Sequence, residues 1–189
     1  RPYAASGLLD CSPVIRGGRL FSMAGVHVHD DASAFPDVQR VRFWDLASSS
    51  KERNKQDPDY TAGALCGVTK NGRVNELWIW DVACCQKEAP ERNAMIVACA
   101  EKDGPAVKQL VESVAGYKDT YTTLKRILQG THTVVKVNVS GDKVVRWASL
   151  EPVFDAGNIH VTKAVWNGLF QSQFENAPSG DHDDVVAAV

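Results

Sequence analysis

No apolar run in the sequence approaches the roughly 20 residues that a membrane-spanning helix needs, so no membrane partner is expected. The cysteines are few and odd in number: Cys11, Cys66, Cys84, Cys85 and Cys99 form no CxxC pair, which argues against a zinc ribbon. Most lie inside apolar runs and read as buried thiols of a reducing compartment. Positive charge is not in excess. With 21 Lys and Arg against 23 Asp and Glu, the net charge is −2, so a nucleic-acid binder of this composition has to gather its cations on one face. There is no GxxxxGK[ST] stretch, which excludes ATP hydrolysis through a Walker-type loop. Internal repeats and low-complexity tracts are also missing. The first residues, RPYAASG, carry no basic-then-apolar leader and read as a piece cut from a longer chain. What remains is ordinary for a globular domain: 189 residues, 44% hydrophobic and 23% charged, enough for one core.

Residues 1 to about 38 read as irregular, with one or two short strands around the Gly17-Gly18 turn and a loop closed by Pro36. His27 and His29 alternate with Val26 and Val28 just before Asp30 and Asp31. That resembles a metal cluster, but alternation alone predicts the outward polar face of a strand. Val41 to Ala47 (VRFWDLA) is short, branched and aromatic, and predicts a buried strand ending near Asp45. A polar loop, SSSKERNKQDPDY, follows. Tyr60 to Val68 and Glu76 to Ala83 then predict two antiparallel strands joined at Asn71-Gly72. Asp81, in the second of them, reads as structural.

From Ala89 the pattern turns helical, with Pro90 in the first turn and Gly104 after the end. Ala106 to Glu112 predicts a strand, Tyr117 to Leu128 a helix closed by Gly130, and Thr133 to Val139 a further strand. The order β-β-β-α-β-α-β implies a meander followed by right-handed crossovers onto a mixed sheet, an α/β domain flanked by helices. Beyond Ser140, SGDKVVRWASLEPVFDAG reads as a loop entering a helix that stops at Gly157. NIHV is a brief strand or edge segment, VWNGLFQSQFENAP an amphipathic helix ended by Pro178, and the last residues begin a helix.

Asp45 ends the first strand of this series and Glu112 the fourth. If the fourth lies parallel beside the first, the two carboxylates are neighbours at one end of the sheet, with Asp183 and Asp184 able to join them from the last helix. Clustered carboxylates repel unless a divalent cation holds them, and an all-oxygen site selects Mg²⁺ or Mn²⁺. Two such ions about 4 Å apart suit in-line displacement at phosphorus. A lone Asp is otherwise a strand-end cap or a surface charge. His182 stands open as a ligand, a proton shuttle or a helix-capping neighbour. Lys118, Lys143 and Arg146 are candidates for phosphate contacts, which supply affinity without a sequence code. Trp44, Trp78, Trp80 and Trp147 read as core residues rather than base-stacking platforms.

RFWDLA followed by DPDYTAG, then WIWDV, a strand ending in Glu112, SGDKVVRW, AGNIHV, WN and a closing HDD together resemble the C-terminal nuclease domain of the large terminase subunit, the DNA-packaging motor of tailed bacteriophages. The resemblance spans residues 39–189. It implies an RNase H-like fold, with residues 1–38 as the tail of a linker from an absent N-terminal ATPase domain. It also implies a metal-dependent endonuclease that cuts double-stranded viral DNA concatemers when packaging starts and ends, with two Mg²⁺ or Mn²⁺ ions. Asp45 and Glu112 take the first two ligand positions and Asp183 or Asp184 the third. The implied partners are duplex DNA, the portal protein and the small terminase subunit, in the host cytoplasm and transiently at the procapsid portal. Two departures stand out: the loop after the second acid reads ESVAGYKD, making Glu101 a competing but weaker candidate, and Ala187 stands where many relatives carry a further Asp. Rival functions are a resolvase- or transposase-type nuclease on the same fold, or a non-catalytic module docking on DNA or the portal.

Overall fold

A computed structural model describes residues 20–47, 59–70, 72–112, 118–139 and 141–189. Seven strands form one sheet: β1 (Val26–His29), β2 (Arg40–Asp45), β3 (Thr61–Thr69), β4 (Glu76–Cys85), β5 (Lys108–Glu112), β6 (Val134–Val137) and β7 (Ile159–Thr162). Their order across the sheet is β1-β7-β4-β3-β2-β5-β6. β2, β3 and β4 are antiparallel neighbours, and the remaining pairings are parallel. This is the mixed sheet expected from the sequence, with a central antiparallel meander and parallel additions on both sides.

The helices are α1 (Ala89–Asp103), α2 (Lys118–Ile127), α3 (Lys143–Trp147), α4 (Glu151–Asp155), α5 (Asn167–Asn176) and α6 (Asp184–Ala188). α1 starts with a proline in its first turn and ends at Gly104, whose φ of 87° is one that a side chain would strain. It carries the chain from β4 past β3 and β2 to the far side of β2. That crossover is why β5 lies parallel to β2.

β3 sits in mid-sheet with seven consecutive residues buried, as its small apolar sequence TAGALCGVT allows. A Cβ at Gly63 would overlap the Trp44 indole across the β2–β3 pair, so glycine is required there for close approach. Two hydrophobic clusters result. Trp44, Leu46, Ile96, Val111 and Leu124 pack with α1 and α2 on one face. The larger cluster includes Ile79, Ile159, Val161, Phe154, Phe170, Phe174 and Val185 on the other. Phe174 is fully buried against Phe21, Phe154 and Phe170 at centroid distances of 4.4–5.1 Å. Burying such a ring stabilises the fold by about 1.5–3 kcal/mol.

Several details differ from the sequence reading. NIHV is not at an edge: β7 lies between β1 and β4 and is nearly fully covered at Ile159 and Val161. The helix expected to run to Gly157 is two short helices, α3 and α4, because Pro152 opens a new first turn. Leu20, Phe21 and β1 pack as part of the domain, so the described portion of residues 1–38 joins the core and the sheet rather than lying outside them. The Gly17-Gly18 turn and most of the loop between β2 and β3 lie outside the described residues.

Candidate functional site

Along β2 successive side chains alternate between faces, so the buried Trp44 points toward α1 and α2 while Asp45 points to the face on which α6 packs. β5 runs parallel to β2 with Trp44 opposite Val111. The next step of both strands therefore places Asp45 and Glu112 side by side at their carboxyl ends. The Glu112 carboxyl comes within hydrogen-bonding reach of Asp45.

From the other direction α6 delivers Asp183 and Asp184. Its first turn is fixed by Gln173, a buried residue of α5 whose Oε1 accepts the Val185 N–H at 2.7 Å. The Tyr60 N–H donates to Asp184 Oδ2 at 3.0 Å. Asp45, Asp183 and Asp184 each present an oxygen within 4.8 Å of the others. Glu112 neighbours Asp45 across the β2–β5 pair but stands outside this triangle, so Asp45 is the acid that adjoins the other three.

Charge in this group is held under protest. Burial, opposed by Lys143 and reinforced by Glu112 and Asp184, pushes the Asp45 carboxyl up to about 8. Asp184 is pushed up to about 6, first by burial and then by Asp59 and Asp183, against the Tyr60 bond and Lys143. The compensating cation is Lys143, the first residue of α3, whose Nζ lies 2.7 Å from Asp183 Oδ1 and 3.9 Å from Asp45 Oδ2. Burial pulls the Lys143 ammonium down, but its bond to Asp183 and the charges of Asp45 and Asp184 carry it above its usual value. Asp142 caps α3 by accepting the Val144 N–H at 2.7 Å, which aims this lysine inward.

The other expected positions divide. Arg146, one turn along α3, donates to Gly141 O at 3.3 Å rather than to an acid. Lys118 opens α2, and its side chain lies outside the described residues. Glu101, the competing acid, is exposed on α1 beside an apolar groove and away from the cluster. Asp81 is structural as read, bonded to Arg42 at 2.7 Å. Trp44 and Trp147 are core residues, whereas Trp78 and Trp80 are half-buried around Phe35. His182 Nδ1 lies 3.7 Å from Asp184 and 4.0 Å from Asp59, with its ring edge-on to Tyr60.

Two contributors were not picked out from the sequence. Asp59 adds a negative charge beside Asp184, and its place in DPDYTAG was the available signal. Gln173 carried none, since an amide in an amphipathic helix ordinarily faces water. A polar cavity of about 420 Å³ lined by Tyr60, Gln173, Ser179, Asp181 and His182 opens next to the acids.

The chemistry of this donor set fits a hard divalent cation. It offers oxygen alone, it is partly desolvated, and it already draws in an ammonium as counter-charge.

No protein-family model and no curated protein matches the chain. Its fold, however, is found in solved structures. The large terminase nuclease of thermophilic phage G20c superposes with a TM-score of 0.61 at 14% identity, covering 90% of this chain and 95% of that one. The same nuclease with bound magnesium gives 0.58 at 13% identity, over 92% and 95% of the two chains. The P22 large terminase nuclease domain gives 0.59 at 11% identity, over 92% and 89%. The chain thus has the RNase H-like α/β fold of large terminase nuclease domains.

Proposed function

We propose that this chain is the nuclease domain of a phage large terminase subunit, a metal-dependent endonuclease that cuts concatemeric double-stranded DNA at the start and end of genome packaging. The observation that carries the reading is the meeting of Asp45 from β2, Glu112 from β5 and Asp183 and Asp184 from α6 at one end of the sheet. Acids brought from such distant parts of the chain, against their own repulsion, are a costly arrangement that surface charge alone does not explain. The shared fold, including one relative holding magnesium, supports the same reading.

Asp45, adjoining the other three acids, would share the holding of Mg²⁺ or Mn²⁺, two ions in this reading, with Glu112, Asp183 and Asp184. Ions held there would supply activation of water and charge stabilisation for an in-line displacement at phosphorus. The chain's own residues do the rest. Tyr60 N–H and Gln173 hold Asp184 and the α6 start in place. Lys143, already inside the group, offers its ammonium to a non-bridging oxygen of the scissile phosphate. Lys118 and Arg146 extend that contact along the DNA backbone, with affinity but no base preference. In the full subunit this domain follows an ATPase domain and works with the small subunit and the portal protein in the host cytoplasm, at the procapsid portal.

The test compares wild type with Asp45→Asn on supercoiled plasmid. Wild type relaxes and linearises plasmid with Mn²⁺ or Mg²⁺ and not with EDTA, and Asp45→Asn does neither while melting no lower than wild type. Unchanged cutting by Asp45→Asn would overturn the site. Intact plasmid together with no heat of Mn²⁺ binding to wild type would favour a non-catalytic docking module instead.

A further inference from the structure

The sequence pattern His27-x-His29 is not used by the acidic site, and it lies at the opposite edge of the sheet. Both imidazoles project from one face of β1, the edge strand. In the parallel β1–β7 pair His27 stands opposite His160, which stands opposite Trp78 of β4. Three histidines from segments some 130 residues apart are thereby gathered on one patch of sheet.

Their rings are close and partly clamped. His29 Nε2 and His160 Nδ1 lie 3.1 Å apart. The His160 ring centroid is 5.1 Å from that of His27 and 5.3 Å from that of His29. Trp78 stacks on His160 at 3.9 Å with an 11° tilt, and Phe35 meets His29 edge-on at 5.3 Å. His27 Nε2 lies 2.9 Å from Gly157 O. A carbonyl only accepts, so that nitrogen carries the hydrogen and His27 Nδ1 is left with a bare lone pair.

We propose that His27, His29 and His160 form a binding site for a borderline transition-metal dication such as Zn²⁺, which staples the edge strand β1 to β7. Imidazole nitrogens select zinc, copper and nickel over the hard ions suited to the acids. Two nitrogens at metal–nitrogen distances of about 2.0–2.1 Å in a tetrahedral site are roughly 3.3 Å apart, close to the spacing already present between His29 and His160. The hydrogen they share moves to the outer nitrogen of its own ring, so both bind as neutral imidazoles. As the rings stand, His29 and His160 converge and His27 lies stacked beside His160. His27 completes the set by rotating out of that stacking so that Nδ1 turns toward the other two nitrogens, a movement open to an exposed ring. Three protein ligands leave a fourth position for water. The neutral state is favoured in advance: burial, then the neighbouring His27 and His29, hold His160 below its usual value, with Glu76 the opposing charge. Lys163, which donates its N–H to His29 O, has its ammonium on Asp30 and adds no second cation to the rings.

The experiment titrates Zn²⁺ into the metal-free chain by calorimetry and follows its melting temperature, in wild type, in Asp45→Asn, and in His27→Gln, His29→Gln and His160→Gln each combined with Asp45→Asn. Melting in EDTA first establishes that each variant is folded, and the exposed His27 serves if a clamped ring proves structural. One equivalent of Zn²⁺ binds Asp45→Asn, in which the acidic cluster is disabled, and raises its melting temperature; wild type binds at least as much. In the Asp45→Asn background the His29 and His160 variants lose that binding, and His27→Gln weakens it about tenfold or more. The ¹⁵N imidazole resonances of His29 and His160 shift on zinc addition. Zinc binding that persists when His29→Gln or His160→Gln is combined with Asp45→Asn, or that is absent from Asp45→Asn alone, overturns the site, and neither outcome alters the plasmid test of the acidic cluster.

Discussion

Lys143 Nζ sits 2.7 Å from Asp183 Oδ1 and 3.9 Å from Asp45 Oδ2, so the cluster proposed to hold metal already contains a cation from its own chain. An ammonium in that place offsets part of the repulsion among buried carboxylates, and a divalent ion entering the same space has to compete with it.

Replacing the cation with a neutral chain of similar length separates the two effects. Lys143→Met lowers the melting temperature of the metal-free protein because the acids lose their partner. The same change raises the affinity for Mn²⁺, read by calorimetry, because nothing positive has to be displaced. Plasmid cutting falls even at saturating Mn²⁺, since the scissile phosphate loses its ammonium. Equal metal affinity in the two proteins would show that Lys143 stands aside from the ion's position.

The raised carboxyls also set a pH dependence. Asp45, held near 8, and Asp184, held near 6, bind protons more tightly folded than unfolded, where a carboxyl titrates near 4. The folded protein therefore carries more protons than the unfolded chain between about pH 4 and pH 8, and its stability falls as pH rises through that window. The Asp184 share is lost by about pH 6 and the Asp45 share continues to about pH 8. Urea unfolding in EDTA is expected to give a lower midpoint at pH 8 than at pH 6, with the difference reduced in Asp45→Asn. Comparison with that variant isolates the carboxyl from His160, whose lowered value contributes with the opposite sign. Saturating Mn²⁺ restores stability at pH 8. A metal-free protein equally stable at both pH values would refute the raised Asp45.

Much of this was legible in the residues, for physical reasons that can be named. A branched, aromatic run ending on Asp45 reads as a buried strand, and a helix between β4 and β5 forces a parallel return, which is how Asp45 and Glu112 become neighbours. The closing HDD is polar punctuation before an apolar turn, so its place at a helix start follows from local chemistry. What escaped depended on partners distant in sequence. Arg42 alternates with Val41 and Phe43 like a residue facing water, yet it is fully buried because Asp81 and Asp103 converge on it. Gln173 looked like the wet face of α5 and instead anchors α6. Lys143 was legible as a cation near the site, but charge gives no direction, and only the capped start of α3 turns it onto Asp183. The four-residue β7 is too short for its sequence to reveal whether it lies inside the sheet or at its edge, whereas the break between α3 and α4 has a local signal in Pro152.

The Arg42 network supplies a prediction about stability that leaves the chemistry untouched. Its guanidinium makes two bonds to Asp103, at 2.7 and 2.8 Å, one to Asp81 at 2.7 Å and one to Gly63 O at 3.0 Å. The Asp103 side chain is as buried as that of Arg42 and also accepts from Gln109 Nε2, itself in the chain of bonds that ends on Trp44 Nε1. Asp81 is partly exposed and shares its charge with the exposed Lys102. Removing one partner of a buried pair strands the other, which costs about 3–5 kcal/mol, whereas an apolar replacement of the whole set is often neutral. Asp103→Ala is therefore expected to cost about 3–5 kcal/mol in urea unfolding, and Asp81→Ala clearly less, because water reaches the vacated position. Arg42 and Asp45 point to opposite faces of β2, so the folded fraction of Asp103→Ala should cut plasmid at the wild-type rate. Equal costs for the two aspartates would mean that the guanidinium is served by water rather than by Asp103. A slowed folded fraction would mean that the network reaches through the sheet to hold the acids in place.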